Sequence, residues 1–162
     1  MAVTPLRDQV ARLVSAELNP TRRYRCLILQ ADRLDVLSRL CEYLPSALAD
    51  AGRASRVLPW EGFFDQVGAM AADSARACIN EAGKTDAVVL AGPLHFVDYW
   101  TPGVQEGFWN FLSLYSRGPG IVVVDIPRTE GVEGPFVARG VIPGTDIRFL
   151  RPRLVATEET YS

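Results

Sequence analysis

Apolar positions along this chain alternate between two rhythms. Ala87 to Ala91 and Ile121 to Val124 are continuous runs rich in β-branched residues, the pattern of strands buried on both faces. Tyr24 to Gln30, Arg56 to Leu58 and Asp146 to Leu150 supply three more strands. Between them the spacing turns helical. Leu6, Val10, Leu13 and Val14 follow Thr4-Pro5, which reads as an N-cap with proline at the first helical position. Leu34, Leu37, Leu40, Cys41, Leu44 and Leu48 form a second stripe that ends at Gly52, and Pro45 is expected to kink or split it. Phe63, Phe64, Val67, Met70, Ser74, Cys78 and Ile79 form a third, ended by Gly83. Val104, Phe108, Phe111, Leu112 and Tyr115 form a fourth, the crossover that a parallel strand pair needs. Pro135 to Arg139 reads as one short helical turn before Gly140.

The order predicts a three-layer α/β/α domain with a mainly parallel sheet of about five strands, P-loop NTPase-like or flavodoxin-like. One domain over residues 1–156 is expected, with an N-terminal helix over about 4–18 and a fraying polar tail at 157–162. At 162 residues the chain is long enough to bury roughly 70% of its unfolded surface.

Charge removes several function classes. The net charge of −2 gives no bulk attraction for nucleic acid or anionic membrane. No run approaches 18 apolar residues, and Met1 to Pro5 does not open like a secretory leader, so a cytoplasmic location is expected. Lys84 is the only lysine among 17 basic residues, so any basic surface here is built of guanidinium forks. Cys26, Cys41 and Cys78 sit among apolar neighbours and read as reduced, buried thiols; a catalytic thiol would need a neighbour that depresses its pKa, and none is near in sequence. With one histidine and no CxxC, no metal site is expected.

In α/β sheets ligands sit beyond the carboxyl ends of the strands. The first such turn, Gln30-Ala31-Asp32-Arg33-Leu34-Asp35, has no glycine to wrap a phosphate and carries two carboxylates that would repel one. Gly83-Lys84-Thr85 has the ending of a phosphate loop but the reverse context, since it closes a helix and precedes a strand. Asp125 closes a buried strand, either as a magnesium-holding acid or as a loop cap. His95 with Asp98 or Glu106 offers an acid/base pair, against a purely structural loop role. Phe96, Tyr99 and Trp100 give the Gly92 to Gly103 loop its character. They read as docking anchors, as stacking platforms, or as a lid packed on the sheet. Arg128, Arg139, Arg148, Arg151 and Arg153 form a late basic cluster suited to an acidic partner or a solvated face.

With its helix-strand opening, its strand-final Asp125 and its closing Gly144-Thr145-Asp146-Ile147-Arg148-Phe149-Leu150 strand, the chain resembles a P-loop NTPase core that has lost its phosphate loop. In layout, Ala87 to Leu154 is similar to the small P-loop-like accessory proteins of the BREX phage-defence systems, the BrxB and BrxF type. That resemblance implies a non-catalytic assembly factor that docks onto a larger subunit of a defence complex, with no cofactor. Partner contacts are then expected at Phe96, Tyr99, Trp100, Arg128, Arg139 and Arg151. The competing class is a nucleotide-binding or nucleotide-cleaving enzyme of flavodoxin or TIR-like fold, with Glu106, His95 and Asp125 as its catalytic candidates in the 92–106 loop and the following strand end.

Overall fold

The computed structural model of the protein describes residues 5–59, 72–128 and 131–153. Its elements run α1 (Leu6–Glu17), β1 (Cys26–Gln30), α2 (Leu34–Asp50), β2 (Ser55–Pro59), α3 (Ala72–Ala82), β3 (Ala87–Ala91), a short 3-10 turn (His95–Tyr99), α4 (Pro102–Ser113), β4 (Ile121–Asp125), β5 (Phe136–Val141) and β6 (Arg148–Pro152). All six strands form one sheet in the order β2-β3-β4-β1-β6-β5. The first four in that order are parallel. β6 runs antiparallel to β1, and β5 antiparallel to β6. The sheet is therefore mixed but mostly parallel.

Side chains alternate across the sheet with period two, so each strand feeds two cores. Leu27, Leu29, Val89, Val122 and Val124 point to one face, where Val10 and Val14 of α1 and Leu37, Leu40 and Leu44 of α2 cover them. Cys26, Ile28, Val88, Leu90, Ile121 and Val123 point to the other, covered by Ile79 of α3, Phe108, Trp109 and Leu112 of α4, and Phe96. Helices on both faces explain why these strands are apolar throughout.

Four local expectations are corrected. Pro45 does not split α2; the buried stripe from Leu37 to Leu48 continues through it, and packing on α1 and the sheet holds the helix where local hydrogen bonding is lost. The segment expected as a helical turn at Pro135 to Arg139 is instead strand β5, an edge strand that gains its register from β6 and carries a bulge between Ala138 and Gly140. The sheet thus has six strands where five were expected. The last strand lies two residues later than expected, because Asp146 belongs to the β5–β6 turn, where Gly144 takes φ +79°. At α1, Pro5 is itself the N-cap and makes no side-chain cap bond. Thr4, the Phe63 to Met70 part of the third stripe and the 157–162 tail lie outside the described residues.

Candidate functional site at the carboxyl ends of β1 and β4

Connections leave the sheet on opposite faces at one place. From β1 the chain passes to α2 on the aliphatic face, and from β4 it passes to Val132 and Phe136 on the aromatic face. β1 and β4 are neighbours, so their carboxyl ends define the switch point at which open α/β sheets place ligands. A flavodoxin-type sheet puts its first strand between the second and third; here β1 lies between β4 and β6.

The residues at that point are Gln30 and Asp125, paired in register and both facing the aromatic layer. They are polar yet 2% and 1% exposed. Asp125 Oδ1 accepts from the amides of Leu94 (3.0 Å) and Ile126 (2.8 Å), and Oδ2 accepts from Arg128 Nε (2.6 Å). Arg128 also donates to Asp98 Oδ1 (2.5 Å) and to the Leu94 carbonyl (3.0 Å). Asp98 in turn lies 3.6 Å from His95 Nδ1. A chain of charge therefore runs from the buried strand end to the exposed turn. Burial pushes the Asp125 carboxyl above its ordinary value, against the pull of Arg128 and the two amides. Burial also works against the Arg128 charge, but Asp125 and Asp98 outweigh it and hold its pKa above the usual value. Asp125 accepts three hydrogen bonds and donates none, the pattern of an ionised carboxylate clamped by its own protein.

Gly92 makes this closure possible. A Cβ there would stand 2.1 Å from the Val124 carbonyl oxygen, so only glycine lets the β3 loop lie against the end of β4 and bring Leu94 to Asp125. The first-strand turn is three residues long, Ala31 to Arg33, and is likewise used internally: Ala31 donates to the Asp125 carbonyl, and Arg33 pairs with Asp35.

The aromatic turn divides. Phe96 is 2% exposed and meets Trp100 and Phe108 edge-on at 5.5 and 6.2 Å. Trp100 is half-buried against the same core. Of the three expected anchors, only Tyr99 projects outward, at 71% exposed. Phe96 and Val97 are buried within the turn, whereas Tyr99, its last residue, stands beside exposed Asp98 at the outer end. Thr101 accepts from the Val104 amide and Pro102 opens α4, a start that fixes the turn from its other end.

The remaining candidates are spread apart. Arg128 is committed to the buried clamp. Arg151 pairs at 2.5 Å with buried Glu17 on the opposite face of the sheet, and Arg139 is exposed at the β5 bulge. His95 is exposed beside Asp98, and Glu106 is exposed on α4. Burial pushes the Cys26 thiol far up and Cys41 up to about 11, and it raises Cys78 against the pull of Arg56, so none is poised as a thiolate. Among the described residues no group of three His, Cys, Asp or Glu is placed to hold a metal ion, and no helix is long and apolar enough to cross a membrane. Sequence reasoning missed Arg128 as the partner of Asp125; the three-residue spacing was the available signal. Compared with protein-family models, curated proteins and solved structures, the chain shows no significant match.

Proposed function

We propose that the protein is a non-catalytic docking module that binds another protein through Tyr99 and the outer face of α4. The observation that carries this reading is the presentation of Tyr99. Phe96 and Val97 root its turn in the core, and Arg128 grips Asp98 beside it. An exposed aromatic on so fixed a frame loses little entropy on binding. The adjoining helix supports it: Glu106 is the only charge in the twelve residues of α4, Val104 is 40% exposed, and a Cβ at Gly103 or Gly107 would meet nothing within 4 Å. Solvated helix faces normally carry charge.

In this reading the strand-end site has been turned inward, with Asp125 and Arg128 holding a display turn. A P-loop-like ancestry with the phosphate loop lost, and a place as accessory subunit of a larger phage-defence complex, follow as the finer form of the proposal. Support for it comes from the glycine-free turn after β1 and the parallel β2-β3-β4-β1 block. The test is affinity capture with wild-type and Tyr99→Ala baits, with quantification of the bound partner. Truncating an interface anchor at about 2 kcal/mol weakens binding roughly thirtyfold, while the thermal midpoint of the isolated chain stays put. Equal capture by both baits rejects the docking face. Stabilisation by a nucleotide panel that is lost in Asp125→Asn would instead favour the nucleotide-binding alternative.

A further inference from the structure

We infer that a second site, separate from the Tyr99 face, binds a free α-amino acid with a small aliphatic side chain. It is a crevice of about 300 Å³ at the carboxyl end of β1, on the aliphatic side of the sheet. The β1–α2 turn forms one wall and the β5–β6 turn the other, with α1 closing the side. The floor is apolar: Ala31 and Ile147 are buried, and Leu6 and Val36 are half-buried beside them. The rim is charged with both signs. Asp32 and Asp146 come from the two facing turns and Arg39 from the second turn of α2. None of the three makes a hydrogen bond or ion pair among the described residues, whereas Arg33, on the same rim, is already taken by Asp35.

That arrangement selects against simpler ligands. A phosphate or a plain carboxylate would bind Arg39 and be repelled by both aspartates. A plain amine would satisfy the aspartates and leave Arg39 beside a like charge. A zwitterion with an ammonium and a carboxylate on one carbon meets both, through charge-assisted hydrogen bonds. Its side chain then lies on the Leu6, Val36 and Ile147 floor, and the volume admits a residue of leucine size at the small end of ligand sites. The inference is independent of the docking proposal, since no residue of the Tyr99 face lines the crevice.

The experiment is a titration of isotope-labelled full-length protein, followed by amide resonances, with L-alanine, L-valine and L-leucine. Isovalerate lacks the ammonium and isoamylamine the carboxylate; both serve as controls. At least one amino acid should move the signals of residues 31–39 and 144–147 saturably. Each control should bind at least about tenfold more weakly, the loss of one charged contact. Arg39→Gln and Asp146→Asn should each weaken binding by about tenfold with an unchanged thermal midpoint, because both side chains are exposed. The inference is overturned if none of the three amino acids binds, if isovalerate or isoamylamine binds as tightly as the best of them, if the shifts map elsewhere, or if both variants keep full affinity.

Discussion

On one side of the sheet Val10, Val14, Leu18, Leu37, Leu40, Leu44 and Leu48 fill the space with aliphatic chains, and Phe149 is the ring that leans on them. On the other side Phe96, Phe108, Trp109, Tyr115 and Phe136 do the same work with rings, and Trp100 and Phe111 lean on them. The aliphatic layer is closed at its margins by matched polar groups. Arg7 binds Asp50 at 2.7 Å and also Ser46, Arg53 donates to the carbonyls of Leu18 and Pro119, and Arg151 meets Glu17. The aromatic layer is less complete. Gln30 Oε1, Trp109 Nε1 and the Tyr115 hydroxyl are buried without a hydrogen-bond partner among the described residues, against the Nε atom of Arg151 on the aliphatic side. Of its two covering helices, α3 carries Asp73, Arg76 and Glu81, but α4 carries Glu106 alone, against Asp35, Arg39, Glu42 and Asp50 on α2. Polar groups that are mostly matched favour a single stable packing. Rings with unused polar ends, under a helix with a single charge, are tolerated where a surface serves something besides stability. The difference assigns structural support to the aliphatic layer and display to the aromatic one.

The clamp at Asp125 joins the two roles, and its removal should produce the largest effect. Asp125→Ala leaves Arg128 half-enclosed with only Asp98 as counter-charge, and it strips acceptors from the Leu94 and Ile126 amides. Breaking such a pair costs about 3–5 kcal/mol, a large share of the stability of a domain this size. Denaturant unfolding measures it. A loss under about 1 kcal/mol would show that the turn is held by Phe96 and Val97 packing alone.

Much of this architecture was legible in the sequence, for a physical reason. The runs at Ala87 and Ile121 are apolar on both faces, a pattern that a covered parallel sheet satisfies; Leu37 to Leu48 likewise admits one helical face. β5 was not legible, since Phe136 to Val141 has no strong intrinsic preference and becomes a strand through its pairing with β6. The two Thr-Pro pairs show the same limit. At 101–102 the threonine caps α4, whereas at α1 Pro5 takes the cap position itself. Within the candidate site the sequence pointed to Asp125 and the aromatic turn. It did not indicate which ring faces outward, because that depends on how a five-residue turn packs against the core. Nor did it reveal that Arg128 closes back on the strand end.

A matched pair of core substitutions sharpens the contrast between layers. Leu44→Ala in the aliphatic layer removes a fully buried side chain and should cost about 2–5 kcal/mol. Tyr115→Phe in the aromatic layer removes only a buried hydroxyl that has no hydrogen-bond partner among the described residues. Deleting an unsatisfied buried polar group is near neutral or stabilising, within about 1 kcal/mol. Both values come from the same unfolding assay. If Tyr115→Phe costs as much as Leu44→Ala, the aromatic layer is as tightly matched as the other and the division of labour is wrong.

The smallest effect is the most discriminating. Gly107 sits in the interior of α4, and a Cβ built there meets nothing within 4 Å. In an isolated helix glycine costs about 1 kcal/mol relative to alanine, and no internal close approach on the protein's own surface offsets that cost. Gly107→Ala should therefore raise the stability of the isolated chain by up to about 1 kcal/mol. The same methyl group stands on the face offered to the partner. If a partner helix or strand packs closely there, capture should fall while stability rises, opposite signs that a general folding defect cannot produce. If stability rises and capture is unchanged, α4 is merely a poorly optimised surface helix and the docking face contracts to Tyr99 and its turn. If stability falls, the space beside Gly107 is already filled within the chain, and the reading of α4 as an open face fails with it.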